Sequence, residues 1–195
     1  MGETDALIEP ATADDVDAVI DMWVALAAGQ REHGATLRAE ANRATAREWV
    51  AQSVVTGELL VAREPEPASE PDRDGDRDPQ PVGFVGFSLE RGDYERDAAR
   101  GTVSNLFVAP EWRGEGIGAA LLDAAERALD EAGADRVALE ALADNDRARE
   151  FYADRGYDLH RVELTKSLND EDDAAAASKD EDGRDGGTES AVESD

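Results

Sequence analysis

The chain has 195 residues, enough for one domain with a substantial core, and its 47 acidic against 20 basic residues give a net charge of −27. Such a negative field opposes binding to nucleic acid or to an anionic membrane. With no cysteine there are no disulfides, thiolate metal sites or cysteine nucleophile, and two histidines, His33 and His160, are too few for a histidine-built metal centre.

Ala6 to Glu9 reads as a short apolar strand ending at Pro10. Thr12 is an N-cap with Asp14 and Asp15 behind it, and Val16, Val19, Ile20, Trp23, Val24 and Ala27 recur at helical spacing, which predicts a helix over 12–28 stopped near Gly29. The polar segment that follows contains His33, read as a solvated loop residue at a substrate mouth. A second helix over 42–56 buries Ala46, Trp49, Val50 and Ser53 and ends at Gly57. Leu59 to Ala62 is a strand. Residues 64–81 form an acidic insertion with proline at 65, 67, 71, 79 and 81, too polar to add to a core.

Val82 to Leu89 resumes as a strand, joined by a hairpin carrying Tyr94 to another at Val103 to Val108. A helix opens near Ile117, buries Leu121, Ala125 and Leu129, and ends at Gly133. Arg136 to Leu142 is a strand, Asp144 or Asn145 caps a helix running to Arg155, and Tyr157 to Leu168 supplies one or two final strands. Residues 169–195 are an acidic Ala/Gly/Ser-rich tail expected to be disordered. Lysine occurs only at 166 and 179, a composition that resembles the cytosolic proteins of salt-in halophiles, so the charge reads as an adaptation to solvent. The acidic N-terminus and the lack of a roughly 20-residue apolar run point to a soluble cytoplasmic protein.

The chemistry concentrates between strand and helix in VSNLFVAPEWRGEGIGAALL, residues 103–122. Glycines at 114, 116 and 118 let a ligand approach the main chain closely, and the first-turn N–H groups of the helix have no intrahelical partner, a combination suited to phosphate. Gly114, Gly116 and Ala119 also satisfy the relaxed dinucleotide pattern GxGxxA, with Glu140 where a ribose-binding acid would be sought. Against that alternative, Pro110 to Arg113 separate strand from glycine, and the preceding strands read as an antiparallel meander.

A second motif follows: Glu140, Asn145, Ala148, Phe151, Tyr152 and Gly156-Tyr157. Together with Arg113-Gly114-Glu115-Gly116-Ile117-Gly118, which fits R/Q-x-x-G-x-G/A, it closely resembles the GNAT superfamily of acetyl-CoA-dependent N-acetyltransferases over residues 5–168. The resemblance implies an α/β protein of the α+β type, one domain over 1–168, with a central mixed, largely antiparallel sheet flanked by helices in the order β-α-α-β-β-β-α-β-α-β(-β). It implies that amides of Arg113, Gly114, Glu115, Gly116, Ile117 and Gly118 cradle the coenzyme A pyrophosphate. Leu106, Phe107 and Val108 would pair with the pantetheine arm in a slot opened by a bulge, with one amide polarising the thioester carbonyl. Asn145 would hydrogen-bond the cofactor and Tyr152 would protonate the departing thiolate.

Glu140 lies among apolar residues in ARVALEALA, which predicts partial burial and a raised pKa, and the resemblance offers it as general base or as a structural or substrate-orienting acid. Ser104 and Asn105 are further candidates on the neighbouring strand. The implied reaction transfers acetyl from acetyl-CoA to an amine of a small molecule or of a peptide or protein N-terminus, without a metal, in a possible homodimer. The rival from another class is a non-catalytic acyl-CoA-binding or regulatory module.

Overall fold

The computed structural model describes residues 4, 6–64, 79–90 and 97–168; most of the proline-rich insertion, Tyr94 and the acidic tail lie outside the described residues. Strand β1 (Leu7–Pro10) leads into a 3₁₀ turn at Ala13–Asp15 and helix α1 (Val16–Gln30). Helix α2 (Arg43–Thr56) ends on Gly57 and is followed by β2 (Leu59–Arg63), β3 (Pro81–Leu89) and β4 (Arg100–Val108). Helix α3 (Ile117–Glu131), β5 (Arg136–Leu139) and α4 (Asp146–Ala153) complete the regular structure.

The five strands form one sheet in sequence order. The first three pairings are antiparallel, whereas β5 lies parallel to β4. That change of direction follows from α3, since only a crossover element can return the chain to run parallel to its neighbour. The result is an α+β fold with a mixed, largely antiparallel sheet flanked by helices. On one face Phe84, Leu59, Val61 and Phe107 pack under Val19, Ile20 and Met22 of α1 and Ala46 and Val50 of α2. On the other, the fully buried Leu121 and Leu129 of α3 close onto the glycines of the strands: a Cβ at Gly83 would stand 3.1 Å from Leu121, and one at Gly101 would stand 2.8 Å from Leu129.

Some boundaries differ from those expected. Gly29 lies inside α1, because burial of Ala27 carries the helix past it. Strand β5 stops at Leu139 rather than Leu142, where its pairing with Val103 of β4 ends. The final strands expected over Tyr157 to Leu168 do not form. In a second compact unit that begins at Ala153, this segment has no regular structure, and Leu159, Val162, Leu164 and Leu168 are exposed. An alternating pattern gives a strand its faces but not the partner its backbone needs.

One polar cluster sits inside the core. Arg63 donates to both carboxylate oxygens of Asp15 at 2.9 and 3.1 Å, to Pro79 O, and to Glu9. Thr12 N–H donates to Asp15 at 2.8 Å. Burial alone would raise the Asp15 carboxyl, but the Thr12 and Arg63 hydrogen bonds outweigh it and hold the group below the usual carboxylate range. Because the folded value is depressed, this stabilisation is complete above the unfolded aspartate pKa of about 3.9 and is lost as pH falls through the folded value. Arg63→Ala leaves a buried carboxylate unpaired and is expected to cost about 3–5 kcal/mol. Chemical denaturation at neutral pH measures this, and a loss under 1 kcal/mol would contradict it.

Candidate active site

Strands β4 and β5 pair only from Arg100↔Arg136 to Val103↔Leu139. Beyond Val103 no strand pairs with the outer edge of β4 among the described residues, and from Glu140 the chain leads on to α4. The cause is local. On the β3 side the register passes from Gly86↔Asn105 to Phe87↔Val103, so Ser104 is an extra residue, a β-bulge that bends β4 away from its neighbour. The divergence leaves a slot at the sheet edge.

The register also settles which main-chain groups face that slot. Ala109 N–H donates to Val82 O at 2.9 Å, so 82/109 and, two residues on, 84/107 are hydrogen-bonded pairs. Phe107 therefore directs its amide and carbonyl to β3, while Leu106 and Val108 direct theirs to the slot. Of the three residues expected to offer backbone there, Phe107 is corrected to a core position: its side chain is buried against Phe84, with ring centroids 6.2 Å apart. Val108 O accepts from Arg113 Nε at 2.9 Å, and the Arg113 guanidinium lies 5.6 Å above the Phe107 ring. This folds the Arg113 side chain back along β4 and shapes the loop that follows.

That loop ends at Gly116, the residue before α3, whose φ of 83° is open to glycine and costly for other residues. No acidic residue occupies the first turn of α3, notable in a chain of net charge −27, so its N–H groups present an uncompensated positive end. Gly118 sits in that turn, and a Cβ there would come within 3.6 Å of Val108 and 3.7 Å of Phe151. Phe151 thus brings α4 against the start of α3, and Tyr152 follows it with the two rings edge-on at 5.2 Å. Tyr152 is half-buried, and that burial raises its phenol pKa above 10, keeping it protonated through the neutral range. Asn145 caps α4, its Oδ1 accepting the Ala148 N–H at 3.1 Å, which leaves its amino group to offer a ligand.

Glu140 departs from expectation. It follows β5 and is exposed, so the partial burial expected from its apolar neighbours is absent. With the strand ended at Leu139, no sheet covers it. Across the bulge, by contrast, the structure joins Ser104, a candidate in the sequence, to an aromatic residue that the sequence assigned only to the buried face of a helix. A Cβ at Gly86 would come 2.6 Å from the Trp49 indole and 3.1 Å from Ser104 Oγ, so α2 lays an aromatic ring beside the bulge. His33, expected to be solvated, is partly buried and reaches Asp144 O at 3.1 Å across 111 positions of sequence. A cavity of about 580 Å³ between α1 and α2 is separate from this region: its walls carry Asp21 paired with Arg43 and Asp17 paired with Arg47.

Residues 44–157 match the model of the acetyltransferase (GNAT) family. Among solved structures, a GCN5-related N-acetyltransferase from Ralstonia eutropha JMP134 is similar at 24% identity and TM-score 0.61, covering 84% of this chain and 98% of that one. A transcriptional regulator from Bacillus halodurans C-125 is similar at 19% identity and TM-score 0.60, covering 84% and 99%. The NatC complex bound to Gag peptide and CoA is similar at 16% identity and TM-score 0.59, covering 80% and 86%. No curated protein matches the chain. Among the described residues no group of histidines and acids is arranged to hold a metal, and no helix is long and apolar enough to cross a membrane.

Proposed function

The chain belongs to the acetyltransferase (GNAT) family, and from that premise we propose that it transfers the acetyl group of acetyl-CoA to a primary amine, of a small molecule or of a peptide N-terminus, by direct attack with both substrates bound. The observation that carries this reading is the union of two features at one sheet edge: an acid-free helix start behind Gly114–Gly118 and a slot beyond Val103 faced by the main chain of Leu106 and Val108.

The first-turn amides of α3 and the loop amides from Arg113 to Gly118 hold the pyrophosphate. The Leu106 and Val108 main chain pairs with the pantetheine arm, and an amide of that edge polarises the thioester carbonyl and stabilises the oxyanion that develops there. The Asn145 amino group hydrogen-bonds the arm from the opposite wall. Tyr152 gives its proton to the departing sulfur. Glu140, exposed at the inner end of the slot, receives the acceptor while it is still an ammonium ion and orients it. No covalent enzyme intermediate is required.

Thermal denaturation in molar KCl tests the donor: acetyl-CoA at a hundred times its Kd should stabilise the protein by about 2.7 kcal/mol. Release of coenzyme A with spermidine, tyramine, lysine and a tetrapeptide tests transfer. Stabilisation by NAD in place of acetyl-CoA would overturn the reading.

A further inference from the structure

We propose that His33 is a further catalytic residue, the group that takes the proton the acceptor amine must lose. The inference rests on the acetyltransferase reading above. A main-chain carbonyl only accepts hydrogen bonds, so at 3.1 Å from Asp144 O the proton of the neutral ring is on Nδ1. The same bond leaves the Nε2 lone pair as a proton acceptor and holds the ring by its other nitrogen, the arrangement that makes a histidine a base rather than a donor.

Position supports the assignment. His33 lies in the 3₁₀ turn directly after α1, and α1 packs over β3 and β4 on the face where Trp49 and Ser104 meet beside the bulge. Asp144 is the residue before Asn145, on the wall that departs from β5. The hydrogen bond therefore runs from the α1 side of the slot to its α4 side. The pyrophosphate cradle occupies the α3 end, so the acceptor approaches from the α1 and α2 side, where His33 stands. The charged residues nearest in sequence to this contact are Arg31 and Glu32 on the turn of His33, and Asp144, Asp146 and Arg149 on the segment it meets. Arg31 is turned to Leu37 O, and Arg149 to Ala143 O and Asp146.

The step balances without a co-reactant. As the amine nitrogen bonds to the acetyl carbon, its proton passes to His33 Nε2; as the carbon–sulfur bond breaks, the sulfur takes the Tyr152 proton. The ammonium proton is first released to water; the neutral amine then loses one N–H as one thiol S–H is formed, and His33 and Tyr152 regain their starting states by proton exchange with water.

His33→Asn tests this, because its amide N–H can still donate to Asp144 O while nothing at the position titrates. The acceptor is whichever of spermidine, tyramine, lysine and the tetrapeptide the wild type acetylates fastest. In His33→Asn kcat/KM at pH 7.5 should be about a hundredfold lower, with acetyl-CoA binding retained. Added imidazole should restore turnover to His33→Ala. Wild-type kcat/KM in His33→Asn, or no rescue of His33→Ala, would overturn the role of His33 while leaving the transferase reading intact. A wild type that acetylates none of the amines would overturn both.

Discussion

Tyr152→Phe is expected to lower kcat by roughly 10²–10⁴-fold, the usual contribution of a positioned general acid, while acetyl-CoA still raises the melting temperature as in the wild type. The substitution removes one oxygen from a half-buried ring whose edge-on packing with Phe151 is kept, so the α4–α3 contact at Gly118 should survive. Burial has a further consequence. Because it raises the phenol above its ordinary value of 10, the wild type should hold its activity through neutral and mildly alkaline pH, with loss of the acid appearing only above that value. Stopped-flow measurement of coenzyme A release against pH reads both effects. Undiminished turnover in Tyr152→Phe would remove the residue from the mechanism, whereas acetyl-CoA binding with no turnover in the wild type would leave an acyl-CoA-binding module as the better description.

Gly118→Asp should separate stability from cofactor binding. An aspartate in the first turn of a helix is favoured by the helix dipole and replaces the poorest helix former after proline, so the melting temperature of the unliganded protein should hold or rise. There is room for the change, since the nearest atoms to a Cβ at this position stand at ordinary contact distance. The same carboxylate would face the pyrophosphate at a helix start whose first turn the sequence keeps clear of acids. The Kd for acetyl-CoA should rise at least about tenfold, equivalent to about 1.4 kcal/mol of lost binding. Titration calorimetry checks it. Unchanged affinity would show that the pyrophosphate lies elsewhere than over the α3 N-terminus.

What could be read from the chain was local. The glycine loop, the start of α3 at Ile117, the Thr12 and Asn145 caps and the stop at Gly57 depend on residues within a turn or two of one another, and so does the period of the buried faces. Glu140 shows the limit. Its apolar neighbours gave good reason to expect a buried strand residue, yet a strand lasts only while its neighbour supplies hydrogen bonds, and the bulge at Ser104 withdraws β4 after Val103. Tyr157 to Leu168 fails for the same reason: its alternation is real, and no partner strand accompanies it among the described residues.

The sequence by itself determined the glycine turn before α3 and the order of elements up to α4, because glycine geometry, capping and periodicity act over a few residues. Only the tertiary structure decided that Phe107 serves the core while Leu106 and Val108 serve the slot, since an antiparallel register assigns every second residue to each side. It alone placed Trp49 beside Gly86 and Ser104, and His33 on Asp144. Such contacts join side chains far apart in the sequence, and no local pattern carries their partner's address.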